Sequence, residues 1–343
     1  MRKKWKSRVL IDNPVVLNRD QIEQDLNNGN QVIIQFSHPD FYGSSILEEV
    51  DELCTRLDEN FGVRFYGHYS LSFDGHTLLR IPHVKTLHLN SLTQAHHIEA
   101  LATLKNLHSL HLGIYELENS NILGIDSLYS LRDLTIFSEK KVLNLQNFKE
   151  FSHLQHLHVG GKVKNMDAIG DLEDLNYLSL HSISKLPLTF INRLKRLKHL
   201  RILLGGREHL QEIEENEIDH LEICRVRGFH DLTNITSFRA LTSLVIEDQI
   251  QLNEIGIDRE MKTLEELTIS NCKGLTRLTG LEQLPSLRKL RIYKTAIDYD
   301  SFIHQVLPSS LSIVEFATAN SKVDQEIQNS LLQLGFQKWS SSY

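Results

Sequence analysis

Histidine is the residue type whose number and placement in this chain could do chemistry. The chain holds 18 histidines among 343 residues. Seven of them, His88, His111, His156, His158, His181, His199 and His220, fall at matching offsets of a recurring pattern. An imidazole donates and accepts hydrogen bonds, ligates metals and titrates near pH ~6.5. Three readings of this stripe stand side by side. It fills tolerant exposed positions, it forms an amphipathic contact surface together with Phe137 and Tyr177, or it holds a metal. On adjacent strands His88 and His111, and likewise His199 and His220, would lie roughly 5 Å apart. Zinc needs three or four converging ligands. No carboxylate or cysteine obviously completes either pair, and the loop pair His96-His97 is weaker still, so the sequence assigns no metal and no cofactor. A histidine contact surface predicts partner affinity that changes between about pH 5.5 and about pH 8.

Other chemistry finds little support. There is no GxSxG, P-loop, GxGxxG before a helix or HExxH. Cys54, Cys224 and Cys272 are far apart with no CxxC pair, which reads as three reduced thiols. Cys54 falls beside Leu53 and Leu57 on a predicted helix and reads as packed. The carboxylates Glu48, Glu49, Asp51 and Glu52 read as a solvated helix face, and Glu212, Glu214, Glu215 and Glu217 as charge keeping a chain return soluble. No enzyme is expected. A net charge of −7 argues against nucleic acid. The basic run Arg2, Lys3, Lys4, Lys6 and Arg8 reads as a solvated end. No apolar signal-type region follows it, and no apolar run nears the roughly 20 residues of a membrane helix. The expectation is no membrane contact and a cytoplasmic protein, with export without a cleaved signal as the alternative.

A repeat positions these residues. An apolar, two residues, apolar, one residue, apolar pattern runs from Val84-Leu87-Leu89 through Leu107-Leu110-Leu112 to Leu311-Val314-Phe316, in eleven copies. Ten steps carry the central residue from Leu87 to Val314, a mean period of about 22.7 residues. The alternation within each copy predicts a short strand with its leucines on one side. One copy cannot bury that side alone, so stacking must. Returns such as Leu101-Leu104-Leu107 and Leu281-Leu284-Leu287 step by three, as a helical or 3-10 turn would.

On these residues the chain resembles the leucine-rich-repeat family in its short-repeat, bacterial, internalin-like style, over roughly residues 80–317. The resemblance implies an α/β solenoid with a curved parallel sheet of about 11 repeats of about 22–24 residues. The family places Asn three residues after the second core leucine. Here those positions hold Leu92, Tyr115, Glu139, Lys162, Ile183, Gly205, Val226, Gln249, Cys272 and Thr295, so irregular turns are expected.

Residues 1–80 depart from the repeat and read as an α/β cap. It comprises a helix near Asp20–Asn27, a buried strand at Gln31–Phe36, a helix N-capped by Ser44 or Ser45 and running to about Asn60, and a strand from Val63 to Tyr69. Residues 81–317 are the solenoid. Residues 318–343 carry a capping helix from Val323 to Leu334, stopped by Gly335, with Trp339 sealing the last repeat.

The resemblance implies that side chains beside the core leucines form a concave face that recognises a protein. Thr86, His88, His111, Asp133, Phe137, His156, His158, Tyr177, Ser179, His181, His199, Arg201, His220, Glu222, Arg291 and Tyr293 would line it. The expected function is non-enzymatic protein binding, monomeric when unbound, suited to a bacterial immunity or effector-type protein. A multi-partner scaffold using the convex loops is the alternative, and an enzyme a remote one.

Overall fold

The computed structural model describes residues 5–68, 70–119, 121–183 and 186–339. Arg2, Lys3, Lys4 and Tyr69 lie outside the described residues. The chain divides into two compact units, Met1–Leu175 and Asn176–Tyr343.

In the first unit the strands are β1 (Arg8–Asp12), β2 (Gln31–Phe36), β3 (Phe61–Tyr66), β4 (Ser72–Asp74), β5 (Thr86–His96), β6 (Ser109–Glu116), β7 (Asp133–Asn144) and β8 (His156–Lys164). They pair in parallel in the order β1-β2-β3-β5-β6-β7-β8, with β4 on the far part of β5. Core residues sit opposite core residues: Ile34 against Val63, Val63 against Leu87, Leu87 against Leu110, Leu110 against Leu134 and Leu134 against Leu157. The N-terminal strands thus continue the repeat ladder sideways. β2 is buried along its whole length.

Two helices brace this edge. α1 (Arg19–Asn27) is N-capped by Asn18, whose carboxamide oxygen accepts from the Gln21 amide. α2 (Ser44–Arg56) follows Gly43, which holds the N-cap position in extended backbone, so the predicted serine cap is not the cap used. The helix also stops at Arg56, before Asn60, because a turn closed by Phe61 N–H to Asp58 C=O takes over. The acidic run is not a wholly solvated face. Glu52 receives both guanidinium nitrogens of Arg19 at 2.7 Å, and Asp51 accepts from the His83 amide at 3.0 Å.

The second unit contains β9 (Tyr177–His181), β10 (His199–Leu203), β11 (His220–Cys224), β12 (Ser243–Glu247), β13 (Glu254–Gly256), β14 (Glu266–Ser270), β15 (Arg277–Thr279), β16 (Lys289–Tyr293) and β17 (Ile313–Ala317). The order β9-β10-β11-β12-β14-β16-β17 is parallel throughout. Leu178, Leu200, Leu221, Leu244, Leu267, Leu290 and Val314 stand in one row. Three of its returns hold a 3-10 turn, at Thr189–Arg193, Thr233–Ser237 and Leu281–Gln283, as the three-residue spacing predicts. Two returns carry a short strand: β13 and β15 pair beside the main ladder, joined by an Arg277–Glu254 ion pair.

The turns of this unit are more regular than the missing asparagines suggest. Ser182, Leu204, Arg225, Asp248, Asn271 and Lys294 all adopt left-handed backbone, φ 53–57°. That conformation costs roughly 1–2 kcal/mol for a non-glycine residue. Each amide there still donates to the last residue of the next repeat's strand, as Arg225 N–H does to Glu247 C=O at 3.0 Å, so one more ladder bond offsets the cost. At the following position Gln249, fully buried, donates its amide to the carbonyls of Ile223 (3.2 Å) and Glu247 (2.7 Å). Cys272 directs its thiol to Ile246 and Ser270 carbonyls one repeat later. Gln and Cys therefore supply donors where the family pattern has Asn. In the first unit the expected irregularity is present, with register shifts in β5 and β7.

The run Glu212 to Glu217 also differs from a simple soluble return. Glu212 binds the buried Arg207 at 3.0 Å, and Arg207 donates to Leu186 C=O at 2.8 Å. At the end of the unit, α3 (Tyr299–Ile303) precedes β17 and α4 (Ser321–Gln333) follows it. Gly335 takes φ 93°, and the Gly335 and Phe336 amides bond Leu332 and Leu331, as a glycine stop requires. The free edge of β17 is met by the backbone of Gln337, which bonds Ser312 and Val314, while Trp339 is half-buried. Replacing Gln249 with Leu should remove both bonds that its amide donates, leaving Glu247 C=O to the Arg225 amide alone, and lower stability by about 1–2 kcal/mol; urea unfolding of the variant, with an unchanged midpoint, would refute the ladder role.

Candidate binding face

Residues alternating with the core leucines line the other side of each sheet, and the parallel register sets them in rows. In the first unit one row reads Asp12, Gln35, Arg64, His88, His111, Thr135 and His158. Gln35 donates to Asp12 at 3.4 Å, and Arg64 donates to Gln35 at 3.0 Å and to Asn90 at 2.8 Å. The His88 and His111 rings lie 5.5 Å apart. Both are half-buried. Burial, first, and then His111, Arg8 and Arg64 push His88 down to about 3. Burial, then Arg64 and Arg8, push His111 down to about 4. These two imidazoles stay neutral through physiological pH and cannot supply the pH-dependent binding expected of the stripe.

A second row holds Thr86, Ser109, Asp133 and His156. Thr86 is buried, its hydroxyl given to Glu59 C=O at 2.7 Å, and His156 is buried against Asp133 at 2.8 Å. Neither is an exposed contact. The third row sets Phe137 between Gly113 and Gly160. The ring is half-buried. His111 lies 6.4 Å from it.

Residues of the first two rows line a cleft of about 300 Å³ that runs from β1 to β8. His88, His111, Asp133, His156 and His158 line it, together with Trp5, Arg8, Glu59, His108 and Arg132. Arg8 lies over the Trp5 ring at 5.5 Å and donates to Gln31 at 2.8 Å, and the Trp5 indole N–H donates to Asn60 at 3.0 Å.

In the second unit the face is closed by its own bonds. Tyr177, His199 and His220 stack in register, with ring separations of 5.9 and 4.1 Å. Arg201 grips Glu222 through Nε (2.6 Å) and Nη2 (2.9 Å) and donates to the Tyr177 hydroxyl at 3.2 Å. Glu222, first, raises the Arg201 pKa. Arg291 meets Glu315 at 2.9 Å and lies over Tyr293. Ser179, a short side chain opposite Arg201, is buried, and His181 is half-buried at the end of β9.

No family model matches the chain, and no curated protein matches it. Solved structures do resemble it. An internalin (inlF) from Listeria monocytogenes aligns at TM-score 0.50 and 15% identity, covering 90% of this chain and 86% of the other. A leucine-rich-repeat protein from Leptospira interrogans aligns at TM-score 0.42 and 15% identity, covering 92% and 91%. With the in-register leucine ladder, the first of these likenesses decides the architecture. The fold is a leucine-rich-repeat solenoid.

Within this solenoid, sequence reasoning overlooked Trp5, Arg8, His108, Arg132 and Asp219. A signal for most of them existed. Lys85, His108, Arg132 and Asp219 occupy one offset, the residue directly before a strand, whose carbonyl accepts two amides of the next repeat. That offset borders the strand face. The thiols give no activated nucleophile: burial, first, pushes Cys54 up to about 12 and Cys224 and Cys272 up to about 11. No helix among the described residues is long and apolar enough to cross a membrane.

His88 and His111 take up protons more readily unfolded, near pH ~6.5, than folded. Their stabilisation is complete above about pH 6.5 and is lost as pH falls toward about 4. The thermal midpoint of a His111→Gln variant should therefore fall less steeply than wild type across that window. Parallel slopes would exclude His111 from the linkage.

Proposed function

We propose that the chain is a non-enzymatic protein-binding module that recognises one protein partner through its strand face. The cleft of the first unit, with Phe137 beside it, carries this reading. A volume of about 300 Å³ suits a few inserted side chains rather than a whole element. Neutral His88 and His111 can each donate and accept, and Arg8 and Arg132 are balanced by Glu59 and Asp133. Such a lining matches peptide groups and mixed side chains better than the uniform negative charge of nucleic acid. Phe137 is an aromatic anchor of the kind that dominates binding energy.

In the second unit Arg201 and Glu222 already satisfy each other, so they contribute shape more than unspent charge. The proposed setting is a bacterial cytoplasm, with the chain monomeric when unbound and acting as an immunity or effector-type protein. Export without a cleaved signal is the alternative. A scaffold that also uses its loops is the second reading. It is favoured by a groove of about 550 Å³ at Arg225, Arg227 and Lys273, beside Ile250, which is 77% exposed.

Tagged protein should capture its partner from the native host, and Phe137→Ala or Arg132→Glu should reduce capture by about 30-fold, the scale of a hot-spot residue. Glu214→Lys, on a return, should leave it intact. Equal loss with Glu214→Lys would favour the scaffold, and full capture by both face variants would remove the face from the interaction.

A further inference from the structure

Two histidines, one aspartate and a strand scaffold meet at one point of the second unit. His199 opens β10 and His220 opens β11, directly opposite each other in the parallel register. Their rings stack with centroids 4.1 Å apart and planes 26° from parallel. Asp219, the residue before β11, places Oδ1 2.7 Å from His220 Nδ1. One ligand atom from each of His199, Asp219 and His220 lies within 4.8 Å of the other two. The carboxylate that the sequence did not reveal for this pair is thus supplied by its own chain neighbour.

The donor set at this point suits a cation. A single divalent ion can draw on both nitrogens and the carboxylate at once. Nitrogen and oxygen donors suit Zn²⁺, with bonds of about 2.0–2.2 Å and a tetrahedral preference. Such bonds bring ligand atoms to within about 3.5 Å of each other, a contraction that side-chain rotation alone can supply. The backbones need not move, because adjacent strands already hold the two Cα atoms at ladder spacing. Tyr177 walls one side of the ring stack at 5.9 Å, and His220 is exposed, so a remaining coordination position faces outward.

We propose that His199, Asp219 and His220 form a Zn²⁺ site with two imidazole ligands, one carboxylate ligand and an outward open position. Binding replaces the His220–Asp219 hydrogen bond and releases any proton shared in it. The proposal is independent of the partner-binding reading, since no contact to a partner enters it.

A second cluster, Asp74, His76 and His97, is the natural control. Its rings also lie 4.1 Å apart. All three residues are exposed, and Asp74 Oδ1 is already committed to the His76 amide at 3.0 Å and His97 Nδ1 at 3.0 Å, where it caps a 3-10 turn. That oxygen holds a loop together and is not available without undoing it.

The test is calorimetric titration of the tag-free, chelator-stripped full chain with zinc chloride, repeated for Asp219→Asn, His220→Gln and His97→Gln. One zinc ion per chain is expected. Asp219→Asn and His220→Gln should each weaken binding at least 10-fold, while His97→Gln changes it less than 2-fold. Circular dichroism checks that the variants fold. Asp219→Asn keeps the neighbouring strands' side chains intact, so it reports even if a histidine variant unfolds. Cobalt loading gives a second readout, a visible absorption band present in wild type and lost in Asp219→Asn. No zinc uptake by the wild-type chain, or uptake that survives Asp219→Asn and disappears with His97→Gln, would overturn the proposal.

Discussion

Each repeat is too short to cover its own leucines, and that deficit organises the molecule. A strand of about five residues exposes one apolar side that only the next repeat can bury. The solution is the in-register row that places Leu200 against Leu178 and Leu221. Once the register is set by this burial, the backbone ladder follows, and it runs far enough to hold Leu204, Arg225 and Asp248 in left-handed turns. Local conformational cost is met by lateral bonding. Gln249 and Cys272 then give further donors to the carbonyls at the strand ends.

The same register decides the chemistry of the opposite side. A side chain at one offset lies beside the side chain at that offset in the neighbouring repeat, so residues of like kind become neighbours. This is why His88 meets His111 and His199 meets His220. It is also why Arg201 is held by Glu222 and Arg291 by Glu315. Rows that pair opposite charges become rigid and internally satisfied. In the first unit burial and the guanidiniums of Arg8 and Arg64 depress the protonation of His88 and His111.

The two units therefore present different surfaces on one architecture. In the first, neutral imidazoles and Trp5 line a cleft, with the Phe137 ring near His111. In the second, stacked rings and ion pairs fill the corresponding positions. Burial, first, holds the thiol groups in their protonated form.

The repeat was legible in the residue order because a period of leucines is a one-dimensional signal. Spacing alone placed the eleven strands, α1, the 3-10 returns and the Gly335 stop. It also named the residues of the strand face, since alternation assigns each side chain to one side. What spacing could not assign was how deeply each would be covered. Thr86 and His156 read as exposed but are buried, because Glu59 C=O and the Asp133 carboxylate lie on other turns of the chain. Trp5 and Arg8 joined the cleft from outside the repeat, and Asp219 completed a triad from an offset that carries no leucine signal. A periodic sequence specifies which side of a strand a residue occupies. Only the packed structure brings neighbours from distant sequence within hydrogen-bonding reach, because burial and electrostatics depend on distances in space that no repeat length contains.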